Sequence, residues 1–587
     1  MSMIHSTMHP TDVNAALINL IRKRSPAYWQ STAIGLTPEL RPIMALQDTR
    51  TLPSSADDHR PSVLLVAGLR GNTTDTPRIL TALERFTGTA AAQASGVALS
   101  VIVAANPDAL SGGDWEEAAV NRVDLTGGYP PEDGYYFDEA APERRYLWRW
   151  ICYQAPDLVV EVALADSDDS VARWEANVAA AGGVVANAVG AVPLTDDDSL
   201  VAALGLAAGD APGAIPAVRL TTHWTGLADA LRELWAVTGK GADVPASPGR
   251  LTLEVRRGRS PLEIARVLAG RYGHALDPVN YTQGVGISGR LRLAELDPAG
   301  PDPTAEIADL IAPIADHPDA YLEGAGGAAL TGVVWAARLA DYTGDERYRR
   351  LFFNAVDRFA PRPRPEEAPS PCDPDFRVED MFMCGAMLGR AYRISGDAKY
   401  ADLLARFLID GGDVQDSGGL FKHARSAPHF WSRGNGFAAL GYAEALTYLP
   451  AEHPALPELL ARHRRHLDAL LRRQQPWGTF GELVDMPGAW GELTSTCMIG
   501  YALARGLREG WLPDGEGDGY RAGVELCWRA VSERIDDEGG VVDGCISTGV
   551  MPDLRAYLDR AALSGHDDRT GSMALWFACE MERLRRG

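Results

Sequence analysis

Lysine is nearly missing from this chain of 587 residues: Lys23, Lys240, Lys399 and Lys422 stand almost alone among 56 basic residues, the rest being arginine. With the abundance of Ala and Gly this reads as codon bias and carries no functional weight. Positive charge is short overall. A formal net charge of −23 argues against nucleic acid or an anionic membrane as the main partner, although a few arginines can still bind an acidic small molecule locally. Cysteine is sparse, odd in number and spread over positions 152, 372, 384, 497, 527, 545 and 579. Without CxxC or a Cys/His pair at zinc spacing, neither a disulfide framework nor a structural zinc is indicated, and no metal or other cofactor is expected. No apolar run reaches the roughly 20 residues of a spanning helix. The opening M-S-M-I-H-S-T-M-H-P lacks the basic start and apolar core of a secretory signal. These absences predict a cytoplasmic protein without a membrane partner. What is present, 46% hydrophobic and 23% charged residues, is ordinary for a folded chain, and the length suggests two to four domains at roughly 100–200 residues each.

The pattern changes near residue 275. Before it, continuous apolar runs at Ser62–Gly68, Val97–Ala105, Leu158–Val162 and Leu251–Val255 read as strands buried on both faces of a sheet. Helical patterns lie between them, as at Asp75–Phe86 and Arg144–Gln154, so residues 1–270 are predicted to form an α/β domain. Beyond 275, amphipathic helices follow one another, starting near residues 283, 303, 323, 346, 379, 398, 434, 455, 492, 518, 553 and 568. The marker T-G-D-E-R-Y at 343–348 returns as S-G-D-A-K-Y at 395–400 and faintly as G-D-G-Y at 517–520. A repeated helical hairpin predicts a closed ring or an open solenoid for residues 275–587; six hairpins is the count of an (α/α)6 barrel.

In the first domain, Gly68-Leu69-Arg70-Gly71-Asn72-Thr73, Asn106-Pro107-Asp108-Ala109, Asp124-Leu125-Thr126-Gly127 and L-T-L-E-V-R-R-G-R-S at 251–260 resemble the zinc carboxypeptidase superfamily, with its succinylglutamate desuccinylase branch. The resemblance places Arg70 and Thr73 where that family has zinc-binding His and Glu, Ala163 where its third ligand stands, and Glu254 at its catalytic Glu. Arg and Ala offer zinc no donor, so the resemblance implies a frame without its metal.

Four clusters stand out in the second domain. R-V-E-D-M-F-M-C-G-A-M-L-G-R at 377–390 opens an apolar helix with two acids, which a helix N-terminus also favours on its own account. G-G-L-F-K-H-A-R at 418–425 precedes H-F-W-S-R-G-N-G-F at 429–437; an indole and a guanidinium suit a sugar acid and equally a packed loop. W-G-E-L-T-S-T-C at 490–497 begins a helix whose Thr494 and Ser495 serve as caps or as ligand contacts. G-G-V-V-D-G-C-I-S-T-G at 539–549 lacks the G-K-[ST] of a phosphate loop.

In order and context these clusters, with Y-T-Q-G-V-G-I-S-G at 281–289, resemble the unsaturated uronyl hydrolases of glycoside hydrolase families 88 and 105. The resemblance implies an (α/α)6 barrel, no cofactor, and an acidic oligosaccharide left by a polysaccharide lyase as the partner. One carboxyl protonates carbon 4 of the 4,5-unsaturated uronic acid, water adds at carbon 5, and the neighbouring sugar is released. Carried over, Glu379 stands at the catalytic Asp position with Asp380 beside it. Glu323 stands at the second acid, and His423, Trp431, Arg433 and Phe437 at the substrate-binding positions, with Thr494 and Ser495 for hydroxyl contacts. Arg433 is the expected uronate partner. A hydrolase of saturated glucuronides, a uronate lyase on the same barrel and a non-catalytic sugar-binding protein are the competing readings. The first domain is left with covering one barrel end or forming a homodimer.

Overall fold

The computed structural model describes the chain except for residues 1–11, 25–28, 52–59, 89–95, 111–122, 133, 138–140, 168–170, 177–182, 197, 239–243, 277, 365 and 516–518. The N-terminal ten residues, Lys240, and Gly517 and Asp518 of the faint third marker lie outside the described residues. The chain divides into two compact units, one of residues 1–257 with 487–490, the other of 258–486 with 491–587.

The first unit is built on an eight-stranded mixed sheet of order β1-β2-β4-β3-β5-β8-β6-β7. The strands are β1 (Trp29–Leu36), β2 (Pro42–Asp48), β3 (Ser62–Ala67), β4 (Ala98–Ile102), β5 (Leu158–Leu164), β6 (Arg173–Ala176), β7 (Val192–Pro193) and β8 (Ala217–Thr222). Strands β4, β3, β5 and β8 run parallel. Their apolar runs are buried throughout β5 and almost throughout β3, as central strands covered on both faces require.

The expected strand Leu251–Val255 is instead part of a helix, Pro248–Gly258. Its alternation is misleading because Leu251 and Val255 are exposed, while Gly249 and Leu253 form the buried stripe. Ser247 accepts from the Arg250 amide at 3.1 Å and Pro248 opens the helix, both standard start signals.

The second unit is a closed ring. Its helices in chain order are α1 (Pro261–Ala269), α2 (Tyr281–Leu296), α3 (Thr304–Asp316), α4 (Ala336–Thr343), α5 (Glu346–Val356), α6 (Glu379–Ser395), α7 (Ala398–Asp410), α8 (Ser432–Tyr448), α9 (Leu456–Leu471), α10 (Leu493–Arg508), α11 (Tyr520–Glu533) and α12 (Asp568–Arg586). Helix α4 is preceded by two short pieces, Gly327–Leu330 and Thr331–Val333, which complete its place in the ring. Around the ring α2 packs on α12, α12 on α10, α10 on α8, α8 on α6, α6 on the pieces before α4, and these back on α2. The six remaining helices pack outside.

One assignment changes. The segment near 553 is a helix of only five residues, Leu554–Leu558, and the outer helix it was expected to supply is α1, upstream of residue 275. A capping box between Ser260 and Glu263 starts α1. Ile264, Ala265 and Leu268 bury its inner stripe, and Arg259 ties its start to the Ser532 carbonyl at 3.0 Å.

Two glycines set how closely the ring closes at α6 and α8. A Cβ on Gly441 would lie 2.4 Å from the Met381 carbonyl carbon, and one on Gly385 would lie 2.6 Å from the Gly441 oxygen. Deeper in the ring, Glu444 is fully buried and ion-paired to Arg390 at 2.6 Å, with Arg292 at 3.7 Å. Tyr501 donates to it at 2.6 Å. Among the described residues, no helix is long and apolar enough to cross a membrane.

Candidate active site

A cavity of about 410 Å³ opens at one end of the ring. Glu379 and Asp380, the first residues of α6, line it, together with Trp431, Arg433 and Phe437 from the start of α8. Asn280, Tyr281, Asp373, Arg377, Ser547, Thr548 and Arg569 complete the polar lining.

The glycine-rich sequence before and within α8 places these side chains. Asn435 accepts from the Phe421 amide at 2.9 Å and donates back to the Phe421 carbonyl at 2.9 Å, so it clamps the G-L-F-K-H loop. Gly434 and Gly436 leave room beside it, since a Cβ on either would meet Val378 or Met498 at 2.8 or 3.0 Å. The clamped loop delivers His423, whose carbonyl accepts from the Val378 amide at 3.1 Å, next to the start of α6.

His423 is fully buried and bridges two groups. Its Nε2 lies 3.1 Å from Glu379 Oε1 and its Nδ1 lies 2.6 Å from the Tyr557 hydroxyl. Arg377 Nη2 donates to the same Glu379 oxygen at 2.5 Å. Burial disfavours the Glu379 charge, but His423, by charge and hydrogen bond, and then Arg377 outweigh it and hold the carboxyl down at about 2. Asp380 goes the other way. Burial lifts it to about 7, the hydrogen bond from the Asp373 amide (2.9 Å) opposing and the Glu379 charge adding. Below pH about 7 the two neighbouring carboxyls therefore sit in opposite protonation states.

The expected substrate contacts divide. Trp431 and Phe437 line the cavity, but Trp431 is fully buried, donating from Nε1 to Glu482 at 2.9 Å. Phe437 packs edge-on against Tyr281 with centroids 5.5 Å apart. Arg433 corrects the expectation of a uronate partner. It is 1% exposed, with its guanidinium 4.6 Å from the Trp431 ring centre. One Nη donates to the Cys545 carbonyl and the other, at 2.7 Å, to the Ile546 carbonyl. It anchors the G-C-I-S-T-G loop.

Thr494 and Ser495 do not reach the cavity. Their amides donate to the Glu492 carboxylate at 2.9 and 2.6 Å, which makes Glu492 the cap of α10, and their hydroxyls bond to Thr570 and to Glu492 and Ser432. Glu323 is exposed on the turn after Pro318–Leu322 and lies outside the lining; Asp373 is the third acid of the cavity. His423 acts through Glu379 and does not line the space.

Several lining residues were not singled out from the sequence. Arg377, Ser547 and Thr548 sit inside quoted motifs, and Tyr281 opens the 281–289 motif. Arg569 stands in H-D-D-R-T-G, which has no distinguishing pattern.

In the first unit, Glu254 is half-exposed and ion-paired to Arg250 at 2.9 Å, on a helix and not on a strand. Arg70 is exposed and Ala163 is buried in β5. Buried Glu161, two residues before Ala163 on β5, pairs with Arg219 at 2.6 Å, and Arg219 also holds Asp196 at 2.8 Å. Among the described residues no group of three or more His, Cys, Asp or Glu is placed to hold a metal.

The helical ring with paired acids at its mouth has counterparts among known proteins. Residues 378–585 match the model of Glycosyl Hydrolase Family 88, which marks the second unit as a glycoside hydrolase. A curated relative, the unsaturated rhamnogalacturonyl hydrolase YesR of Bacillus subtilis (strain 168), is 28% identical over 128 residues, covering 22% of this chain and 34% of its own length. The aligned stretch thus spans about a third of that relative. Among solved structures, a family 105 glycoside hydrolase of C. acetobutylicum ATCC 824 is 19% identical with a TM-score of 0.47, covering 54% of this chain and 99% of its own. The unsaturated glucuronyl hydrolase of Bacillus sp. GL1 is 15% identical with a TM-score of 0.43, covering 57% and 97%.

Proposed function

We propose that the second unit removes a 4,5-unsaturated uronic acid from the non-reducing end of lyase-generated oligosaccharides, with Asp380 as the proton donor. The observation that carries this reading is the Glu379–Asp380 pair, one carboxyl held ionised and its neighbour raised to about 7 on the wall of the same cavity. Pushing two neighbouring pKa values apart is how a site separates acid from base. Asp380 gives its proton to carbon 4 of the vinyl ether, and positive charge develops at carbon 5 and the ring oxygen. The Glu379 carboxylate stabilises that charge from the adjacent position. Water bonds to carbon 5 and its proton returns to Asp380, leaving a hemiketal. Opening of the hemiketal turns the ring oxygen into a hydroxyl on carbon 1, and collapse there to an aldehyde expels the neighbouring sugar. The scheme needs no group beyond the two carboxyls and water.

The test follows the ultraviolet absorbance of the conjugated double bond across a set of lyase products. Wild-type protein is expected to remove the absorbance and Asp380→Asn to abolish its loss. An absorbance that rises instead makes the protein a lyase. No change with any unsaturated uronide refutes the reading.

For the first unit, we infer a carboxypeptidase-type frame without its metal. Arg70 and Ala163 at the ligand positions support this, as does the commitment of nearby Glu161 to Arg219. A purified protein holding stoichiometric zinc would overturn it.

A further inference from the structure

A uronate brings a negative charge into a cavity whose wall already carries Asp373, Glu379 and Asp380, so a cation has to receive it. Three arginines line the space. Arg377 gives one Nη to Glu379 and so does not offer its whole fork. Arg433 spends both Nη groups on the backbone carbonyls of Cys545 and Ile546. Arg569 differs. Its Nε donates to the Tyr281 hydroxyl at 2.9 Å, and among the described residues its two Nη nitrogens make no hydrogen bond and no ion pair.

Position adds to this. Arg569 lies in the first turn of α12, as Glu379 and Asp380 lie in the first turn of α6. Around the ring, α12 and α6 are separated by two helices in either direction, so Arg569 and the acids face each other across one mouth. Tyr281 fixes the guanidinium from the side, being itself packed edge-on against Phe437 and Phe382 at 5.5 and 6.2 Å.

We propose that Arg569, oriented by Tyr281, is the residue that selects a uronic acid substrate, taking its carboxylate on the two Nη nitrogens while the sugar ring spans the cavity toward Asp380. A planar fork matches a carboxylate with two parallel charge-assisted hydrogen bonds. The carboxylate is borne on carbon 5, next to the carbon that takes the proton, so holding it on one wall presents the double bond to the acid on the other. This assignment rests on the function proposed above.

The experiment uses an unsaturated uronyl disaccharide and its methyl ester with wild-type protein, Arg569→Gln and Arg569→Lys, each checked for folding by circular dichroism. Wild-type protein is expected to prefer the acid over the ester. Arg569→Gln should lower kcat/KM for the acid by roughly 10²-fold, mainly through KM, and should erase the preference, with Arg569→Lys recovering part of both. Equal turnover of acid and ester by wild-type protein, a comparison that needs no variant, overturns the assignment. So does an Arg569→Gln protein that keeps the wild-type preference. In both cases the hydrolase reading survives, because the wild-type protein is active. Wild-type protein inert on both substrates removes the hydrolase reading and this assignment together.

Discussion

His423 Nε2 lies 3.1 Å from Glu379 Oε1, and this contact decides the charge of a carboxyl that burial alone would neutralise. Ionised Glu379 can only accept, so Nε2 donates, and the Tyr557 hydroxyl at Nδ1 fixes the other side of the ring. Replacing His423 with Asn removes both the charge and the bond. Glu379 should then rise from about 2 toward the ordinary carboxylate range, and the acid limb of the pH–rate profile should move up with it. Stability changes in the same direction. A depressed carboxylate stabilises the fold above its unfolded value, and that contribution is lost as pH falls toward about 2. The wild type should therefore be more stable than His423→Asn above pH about 5, and urea melts of the two should converge as pH falls toward about 2.

Asp380 titrates with the opposite sign. Raised to about 7, it is a proton donor only below that pH, so kcat should fall on the alkaline side with a midpoint near 7. Glu379→Gln removes a negative neighbour that raises Asp380, and the alkaline limb should shift to lower pH in whatever activity remains. Asp380→Asn should cost on the order of 10²–10⁴-fold in kcat. A profile whose alkaline limb ignores Glu379→Gln would separate the two carboxyls and defeat the pairing.

Glu482 offers a stability test away from the chemistry. Buried beneath Trp431, it is raised to about 8 by burial first and then by the Glu492 charge. A group whose folded pKa is raised contributes stability that is fully present below its unfolded value and is lost by the time pH has risen through the folded one. The thermal stability of the wild type should therefore fall as pH rises from about 4.5 to about 8. Glu482→Gln, already neutral and close in shape, should flatten that dependence while changing stability by about 1 kcal/mol or less on the acid side, where Glu482 is protonated in both states.

Gly441 links packing to the site. An added Cβ would enter the backbone of Met381, one residue beyond Asp380. Gly441→Ala is expected to destabilise the second unit by about 1–3 kcal/mol through overpacking. Because the strain falls on the first turn of α6, it should also lower kcat in protein that remains folded. Urea melts and steady-state rates on the same preparation check both.

The sequence showed the ring more clearly than the mouth. Apolar positions repeating at helical spacing mark α6, α8 and α10, because a helix packed on several sides must be apolar along its length. Leu251–Val255 misled because five residues of alternating polarity also fit one turn of an amphipathic helix, and only burial distinguishes the two. Glu379, Asp380, Trp431, Arg433 and Phe437 were legible through their motifs, yet the motif could not tell a ligand contact from a brace. Arg433 and the Thr494–Ser495 pair look like binding groups in one dimension and are consumed by carbonyls and a helix cap in three. Arg569 shows the converse: its meaning comes from the ring placing it opposite α6, a relationship across 190 residues that no local pattern carries.

Helix α1 alters how the second unit can be separated from the rest of the chain. A fragment cut at residue 275, where the sequence changes character, would retain all six inner helices and still be incomplete. It would lack the cover over α12 supplied by Ile264, Ala265 and Leu268, and the Arg259 tie to the end of α11. Helix α12 presents Arg569 at its first turn, so the loss would reach the cavity as well as the exterior. A fragment beginning before Gly258 keeps that support, which makes the cut point an experimental variable for the catalytic mouth itself.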